Sequence, residues 1–316
     1  MFSLENTADS TSPTLLLGSA MWGWTTPPAV AFQLLDSFYA AGFRQIDTAT
    51  NYPINKQPED FRRAENILLE WIKAHQVADL QVIVKIGSLN NLRSPEHNLT
   101  HSFLLMNSDD YYFRLGRNLA MLMVHWDNRD QLADIQQTFE GFQTIQAQGI
   151  RVGLSGIRHP TLYAELNQIF QFDFQIQIKH NIFHSDYEHY APFHRKQRFL
   201  AYGINAGGIK LQASAYHADS SLRARGGDTT EPHSLTTALQ QLLFEANQQP
   251  SRPPLDSMNH IGMLYAYHSP DIRGIIIGPS STAQLQETLL FYRQMQQFDY
   301  LDVIKKLKSM HLDHGV

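Results

Sequence analysis

The chain has 316 residues, 43% apolar and 17% charged, with 25 Lys plus Arg against 30 Asp plus Glu, a formal net charge of −5. This balance leaves no electrostatic footprint for nucleic acid or an anionic membrane surface. The absence of cysteine excludes a disulfide framework and thiolate metal sites, and the apolar content excludes general disorder.

The opening residues 1–13 are polar, without a basic stretch leading into an apolar one, and no run is long enough to span a bilayer. A cytoplasmic location is therefore the expectation. Short apolar runs then alternate with longer stretches of helical period. The runs are 14–20, 43–49, 80–86, 119–125, 150–156, 174–178, 209–215 and 273–278. Amphipathic helices are predicted between them, for example over 29–42, 64–75 and 134–149, the first and third of which end in glycine. The proline-rich 248–254 is read as a loop ahead of a further helix at 257–268. Eight strand-helix units predict an α/β chain, a (β/α)8 TIM barrel as a single domain over 1–316, with its active site at the carboxyl ends of the strands. Residues 223–234, rich in Gly, Pro and polar side chains, form a candidate mobile loop on that face.

Position makes the polar residues at strand ends informative. Asp47 closes the second run, Lys85 lies near the end of the third and His125 ends the fourth. A buried Asp or Lys needs a partner, so Asp47 and Lys85 are expected to pair, with Tyr52 in reach from the loop beyond Asp47. An ammonium beside a phenol lowers its pKa, and a carboxylate behind the ammonium keeps it charged. Asp47, Lys85 and Tyr52 thus read as a tuned proton donor, and His125 as a second group able to hydrogen-bond a substrate oxygen.

"IDTATNY" (46–52), "VIVKIG" (82–87), "LMVHWD" (122–127) and "GLSG" (153–156), in this order, resemble the aldo-keto reductase superfamily. So do "LLLGSAMWG" (15–23), "QIKHN" (177–181) and "IIIGPSSTAQLQET" (275–288), and the resemblance runs over nearly the whole chain. It implies hydride transfer between a nicotinamide cofactor and an aldehyde, ketone or sugar-like carbonyl. Tyr52 would donate the proton, Lys85 lower its pKa, Asp47 hold Lys85 and His125 polarise the carbonyl. It also implies cofactor contacts at Gly18, Ser19, Ala20, Met21 and Asp47, at Ser155 and Gln177 for the carboxamide, and at Tyr216 for stacking on the ring. The adenosine end would lie at Gly278, Pro279, Ser280, Gln284 and Glu287, while Trp22, Trp24 and Trp126 would line the substrate pocket.

The sequence departs from the family in three places: Gly156 stands where an Asn usually follows the serine, His180 where a Tyr is common, and Gln284 where an Arg often meets the 2′-phosphate of NADPH. NADPH is the expectation, with NADH left open and Arg273, Arg223 or Arg225 as substitute cations. His180, His184, His189 and His194 are spaced too loosely for a metal site and no metal is expected; they read as a substrate wall. The expected partner is a small carbonyl or alcohol, with no nucleic acid and no membrane. A cofactor-binding regulatory or interaction subunit with little turnover is the alternative on the same fold.

Overall fold

The computed structural model describes residues 12–211, 216, 220–227 and 234–313. Strands β1 (Thr14–Gly18), β2 (Gln45–Ala49), β3 (Gln81–Ile86), β4 (Leu119–His125), β5 (Arg151–Ser155) and β6 (Gln175–Asn181) follow one another around a ring. β7 (His184–Ser185) is a two-residue antiparallel flap on β6, and β8 (Arg198–Tyr202) and β9 (Ile272–Ile277) complete the barrel. All eight barrel strands pair in parallel, and the β5–β6 pairing closes the ring.

Parallel neighbours require crossovers; between β6 and β8 a 3-10 turn at Glu188–Phe193 makes the connection, and helices supply the others. They are α1 (Pro28–Ala40), α2 (Arg63–His75), α3 (His101–Leu115), α4 (Leu132–Ala147) and α5 (Pro160–Phe170), then α6 (Ser221–Ala224), α7 (Ser234–Ala246) and α8 (Met258–Tyr267), with α9 (Thr282–Gln297) and α10 (Leu301–Asp313) after the last strand. α1 opens on Pro28, whose fixed φ suits a first helical turn. Among the described residues no helix is long and apolar enough to cross a membrane.

The seventh barrel strand corrects the sequence reading. It is β8, five residues paired with β6 and β9, and not 209–215. Ile209 to Leu211 lie in the following loop, and 212–215 fall outside the described residues. "IKLQASA" alternates like a strand, whereas "RFLAY" is short and follows the charged "HRKQ", so period alone favoured the wrong run.

Strand parity sorts the core into two parts. Leu15, Leu17, Ile46, Val82, Val84 and their counterparts face the helices in one large cluster. Leu16, Ile83, Met121, Met123, Leu200 and Ile276 form a separate apolar cluster that fills the barrel. Two inward positions must be small: a Cβ at Gly153 would lie 2.5 Å from Met123 Cε, and one at Gly274 would lie 2.6 Å from Leu200 Cδ2. Two residues further along the same strands come Gly18, Lys85, His125 and Tyr202. The period of two therefore sets polar chemistry directly on top of an apolar plug.

Candidate active site

Register brings the strand ends together. Gly18 pairs with Asp47, Ala49 with Lys85, His125 with Ser155, and Ser155 with Gln177. Lys85 is 1% exposed and Asp47 3%. Lys85 Nζ donates to Asp47 Oδ2 at 2.5 Å, and Gln177 Nε2 donates to Asp47 Oδ1 at 2.5 Å. The carboxylate is satisfied on both oxygens, as a buried charge must be. Thr50 ties the loop after β2 to the same strand end, its N–H and its Oγ1 both donating to Lys85 O at 3.0 Å. That loop carries Tyr52, whose ring lies 4.9 Å from Lys85 Nζ and meets the His125 ring edge-on at 6.0 Å.

Burial pushes the Tyr52 phenol above its ordinary 10.0, and the Lys85 charge beside it pulls the other way without prevailing. The expectation that Lys85 lowers the phenol's value thus holds for its own effect and not for the net. Burial also opposes the Lys85 charge, but Asp47 and Tyr52 outweigh it and hold the ammonium above its ordinary 10.5. His125 is driven well below 6.5 by burial and then by Lys85, and its Nδ1 is buried without a hydrogen-bond partner. Near neutrality the group therefore comprises a neutral phenol, a neutral imidazole and a cation whose charge Asp47 balances.

A stability consequence follows for His125. The unfolded chain takes up a proton near 6.5 that the buried ring refuses, so stability from this residue is full above that value and falls as pH drops through it. From pH 7.5 to 5.5 the loss is about 1.4 kcal/mol. Urea unfolding at both pH values, with wild type compared with His125→Asn, should show that excess loss in wild type only; equal losses would refute it.

Tyr52 and His125 line a cavity of about 790 Å³ at the carboxyl ends of the strands. Of the residues the resemblance singles out, Gly18, Ala20, Met21, Asp47, Ser155 and Gln177 also line it, as do Trp22, Trp24 and Trp126. Gly156 has φ +68°, and a Cβ there would lie 2.5 Å from Trp126 Cδ1. Glycine here thus suits both the left-handed backbone and the Trp126 side chain packed against it. A second cavity of about 700 Å³ shares Asn205, Gly208, Asn259, Ile277, Gly278 and Pro279 with the first, and Gln284 and Glu287 line it.

Other expected residues lie elsewhere. Ser19 is buried outside the cavity lining, and its N–H donates to Asp47 O at 3.0 Å. Ser280 donates from its N–H and Oγ to Gln284 Oε1 and lines neither cavity. Tyr216 is likewise outside both linings, its hydroxyl accepting from Lys210 N at 2.9 Å, whereas Tyr202 at the end of β8 lines the first cavity. Sequence reasoning missed Tyr202, although it closes a strand as Asp47 and His125 do. Gln177 engages Asp47. Arg273, at the opposite end of β9, donates to Ile272 O, and Arg225 lines the first cavity instead of the adenosine end. Of the candidate mobile loop, 223–227 are described and 228–233 lie outside the described residues.

The four histidines expected to form a wall line neither cavity. His180 sits between Ser185 and Ser269, His184 meets Asp186, and His189 and His194 bond the carbonyls of Ile157 and Tyr187. Asp256, His260 and Glu287 do converge by the second cavity, with ligand atoms within 4.8 Å of one another. The two nitrogens of His260 face different carboxylates, at 3.2 and 3.9 Å, so the ring reads as a bridge between them.

The protein resembles the aldo-keto reductase AKR11C1 from Bacillus halodurans (holo form) in structure, with a TM-score of 0.68 and 16% identity over 94% of this chain and 91% of that one. At that identity the likeness speaks for the fold. In sequence, 82 residues are 37% identical to an uncharacterized 11.2 kDa protein in the crtE 3′ region of Pseudescherichia vulneris, 24% of this chain and 76% of that protein. The model of the aldo/keto reductase family matches residues 14–306. With a closed barrel and a family match over nearly its whole length, the chain belongs to the aldo/keto reductase family.

Proposed function

We propose that this oxidoreductase reduces an aldehyde, ketone or sugar-like carbonyl at the expense of a nicotinamide dinucleotide, with Tyr52 as the proton donor. The observation that carries this reading is the neutral Tyr52 phenol held between Lys85 and His125 at the floor of the large cavity. When bound, the dinucleotide supplies the hydride. Tyr52 donates its proton to the carbonyl oxygen as negative charge develops there, and Lys85 stabilises the phenolate left behind. His125, neutral, offers an N–H to the same oxygen and fixes its direction. Asp47 and Gln177 keep Lys85 aimed at Tyr52.

The two joined cavities support a ligand of two lobes. Ser155, Gln177 and Tyr202 would hold the nicotinamide end, and the buried, unpartnered Asn205 Oδ1 at the junction offers an acceptor to a hydroxyl or amide. At the far lobe the charged lining residues are Lys210, Asp256 and Glu287. One ammonium beside two carboxylates is a poor seat for a 2′-phosphate, so the NADPH preference expected from the sequence rests on Lys210 alone. Tryptophan-fluorescence titration should give dissociation constants for NADPH and NADH within about tenfold of each other, a gap of about 1.4 kcal/mol. A carbonyl panel followed by loss of reduced cofactor then tests turnover. Failure to bind either dinucleotide at micromolar concentrations would sink the reading.

A further inference from the structure

The chain is net negative, yet among the described residues the cavity over Tyr52 is lined by more positive than negative charge. The described charged lining residues are Asp47, Arg93 and Arg225, and Asp47 is already neutralised by Lys85. Arg93 comes from the loop after β3, Arg225 from the turn after α6. Neither forms an ion pair with a described carboxylate. Arg93 donates from Nε to Ile54 O at 3.3 Å and from Nη1 to Arg225 O at 3.5 Å, both long bonds. Arg225 Nη2 donates only to Met21 Sδ, at 3.3 Å, a weak acceptor.

Arg129, on the loop after β4, shows the contrast. Asp127 takes Arg129 Nε and Nη2 at 2.9 and 2.8 Å, and Thr138 and a backbone carbonyl accept more. A guanidinium serving structure is filled in this way, whereas Arg93 and Arg225 keep most of their five donors unspent. Both arginines are exposed to solvent at the cavity rim; partial burial lowers the Arg225 value, Tyr52 opposes that, and the Arg93 charge lowers it further. Two like charges held together on a cavity wall are a cost that an anion relieves.

We propose that Arg93 and Arg225 form a receptor for an anionic group, carboxylate or phosphate, on the carbonyl substrate. This rests on the reductase reading above and names its substrate class. The dinucleotide's own phosphates are the competing source of the same chemistry. Against them stands the placement: neither arginine lines the second cavity, and Ile54, whose carbonyl Arg93 meets, lines the first and is no expected cofactor contact. Trp24, Ile54 and Trp126 line that same first cavity, so the remainder of the substrate meets mainly apolar surface.

The test compares charged and neutral carbonyls of matched shape: 4-oxobutanoate with butanal, and D-glyceraldehyde 3-phosphate with D-glyceraldehyde. kcat/KM is measured for wild type, Arg93→Met, Arg225→Met and the double variant. Dissociation constants of NADH and ADP-ribose come from fluorescence, and those of 4-oxobutanoate and butanal from calorimetry in the Tyr52→Phe background. The charged substrates should be favoured, by about tenfold less in each single variant and about a hundredfold less in the double, with neutral carbonyls and dinucleotide binding unchanged. If the charged preference survives the double variant, the proposal is overturned. It is equally overturned if NADH and ADP-ribose lose affinity by the same factor, because the arginines then serve the dinucleotide. Charge-dependent binding of 4-oxobutanoate without turnover of any carbonyl would instead leave the receptor standing and remove the reductase reading.

Discussion

Tyr52→Phe lowers kcat for carbonyl reduction by about a thousandfold, within the range that a positioned general acid contributes. The substitution removes one hydroxyl and keeps the ring, so the contacts at 4.9 Å from Lys85 Nζ and 6.0 Å from the His125 ring survive. Lys85 keeps its partner on Asp47 Oδ2, and the cavity loses no wall. Dinucleotide affinity, measured by tryptophan quenching, therefore stays within about twofold of wild type; an effect on transition-state stabilisation alone appears in kcat and kcat/KM together. Activity within a few-fold of wild type would show that another group supplies the proton.

Asp47→Ala destabilises the fold by about 3–5 kcal/mol, the usual consequence of removing one member of a buried ion pair. Two losses combine. The 1% exposed Lys85 ammonium is left without its carboxylate, and Gln177 Nε2 loses the oxygen it bonds at 2.5 Å. Above about pH 10.5 the difference shrinks: Lys85 is held above its ordinary value in the intact protein, so the stability it contributes is full below that value and is lost as pH rises through the raised one. Lys85→Met alone strands Asp47 by the same logic, while the double variant Asp47→Ala/Lys85→Met, with no charge to strand, recovers much of the loss. Urea melts of the four proteins close a double-mutant cycle. Additive single losses would mean that the pair is not coupled in the folded state.

How far the site can be read without coordinates depends on whether local pattern and tertiary pairing agree. Asp47, Lys85 and His125 each lie at or near the end of an apolar run long enough to be seen, and parallel register then gathers their ends. Tyr202 ends a run of five residues that no period distinguishes, so Tyr216, beside a better-looking alternation, drew the assignment. The barrel itself is legible because eight short apolar runs recur between helical stretches; which run forms its seventh member is decided by pairing with β6 and β9, a non-local matter. Gly156 is an unexplained departure in one dimension and a fitting one in three, once Trp126 is seen against it. The bond from Gln177 to Asp47 joins residues 130 apart, and no motif spacing could announce it. Arg93 and Arg225 are likewise unremarkable in sequence; their meaning comes from the first cavity they line together and from having no ion pair with a described carboxylate.

The apolar plug of Leu16, Ile83, Met121, Met123, Leu200 and Ile276 makes the barrel a blind well instead of a tunnel. Among the described residues this leaves the rim at the carboxyl ends of the strands as the doorway. With Tyr52 as the proposed proton donor, resupply of its proton through the floor would be blocked by the Leu, Ile and Met side chains that fill the barrel there. Resupply must descend from the rim, past the same walls by which reactant enters and product leaves. A molecule lingering there would obstruct both reprotonation and the next arrival, so the pace of repeated turnover is tied to how quickly the doorway clears.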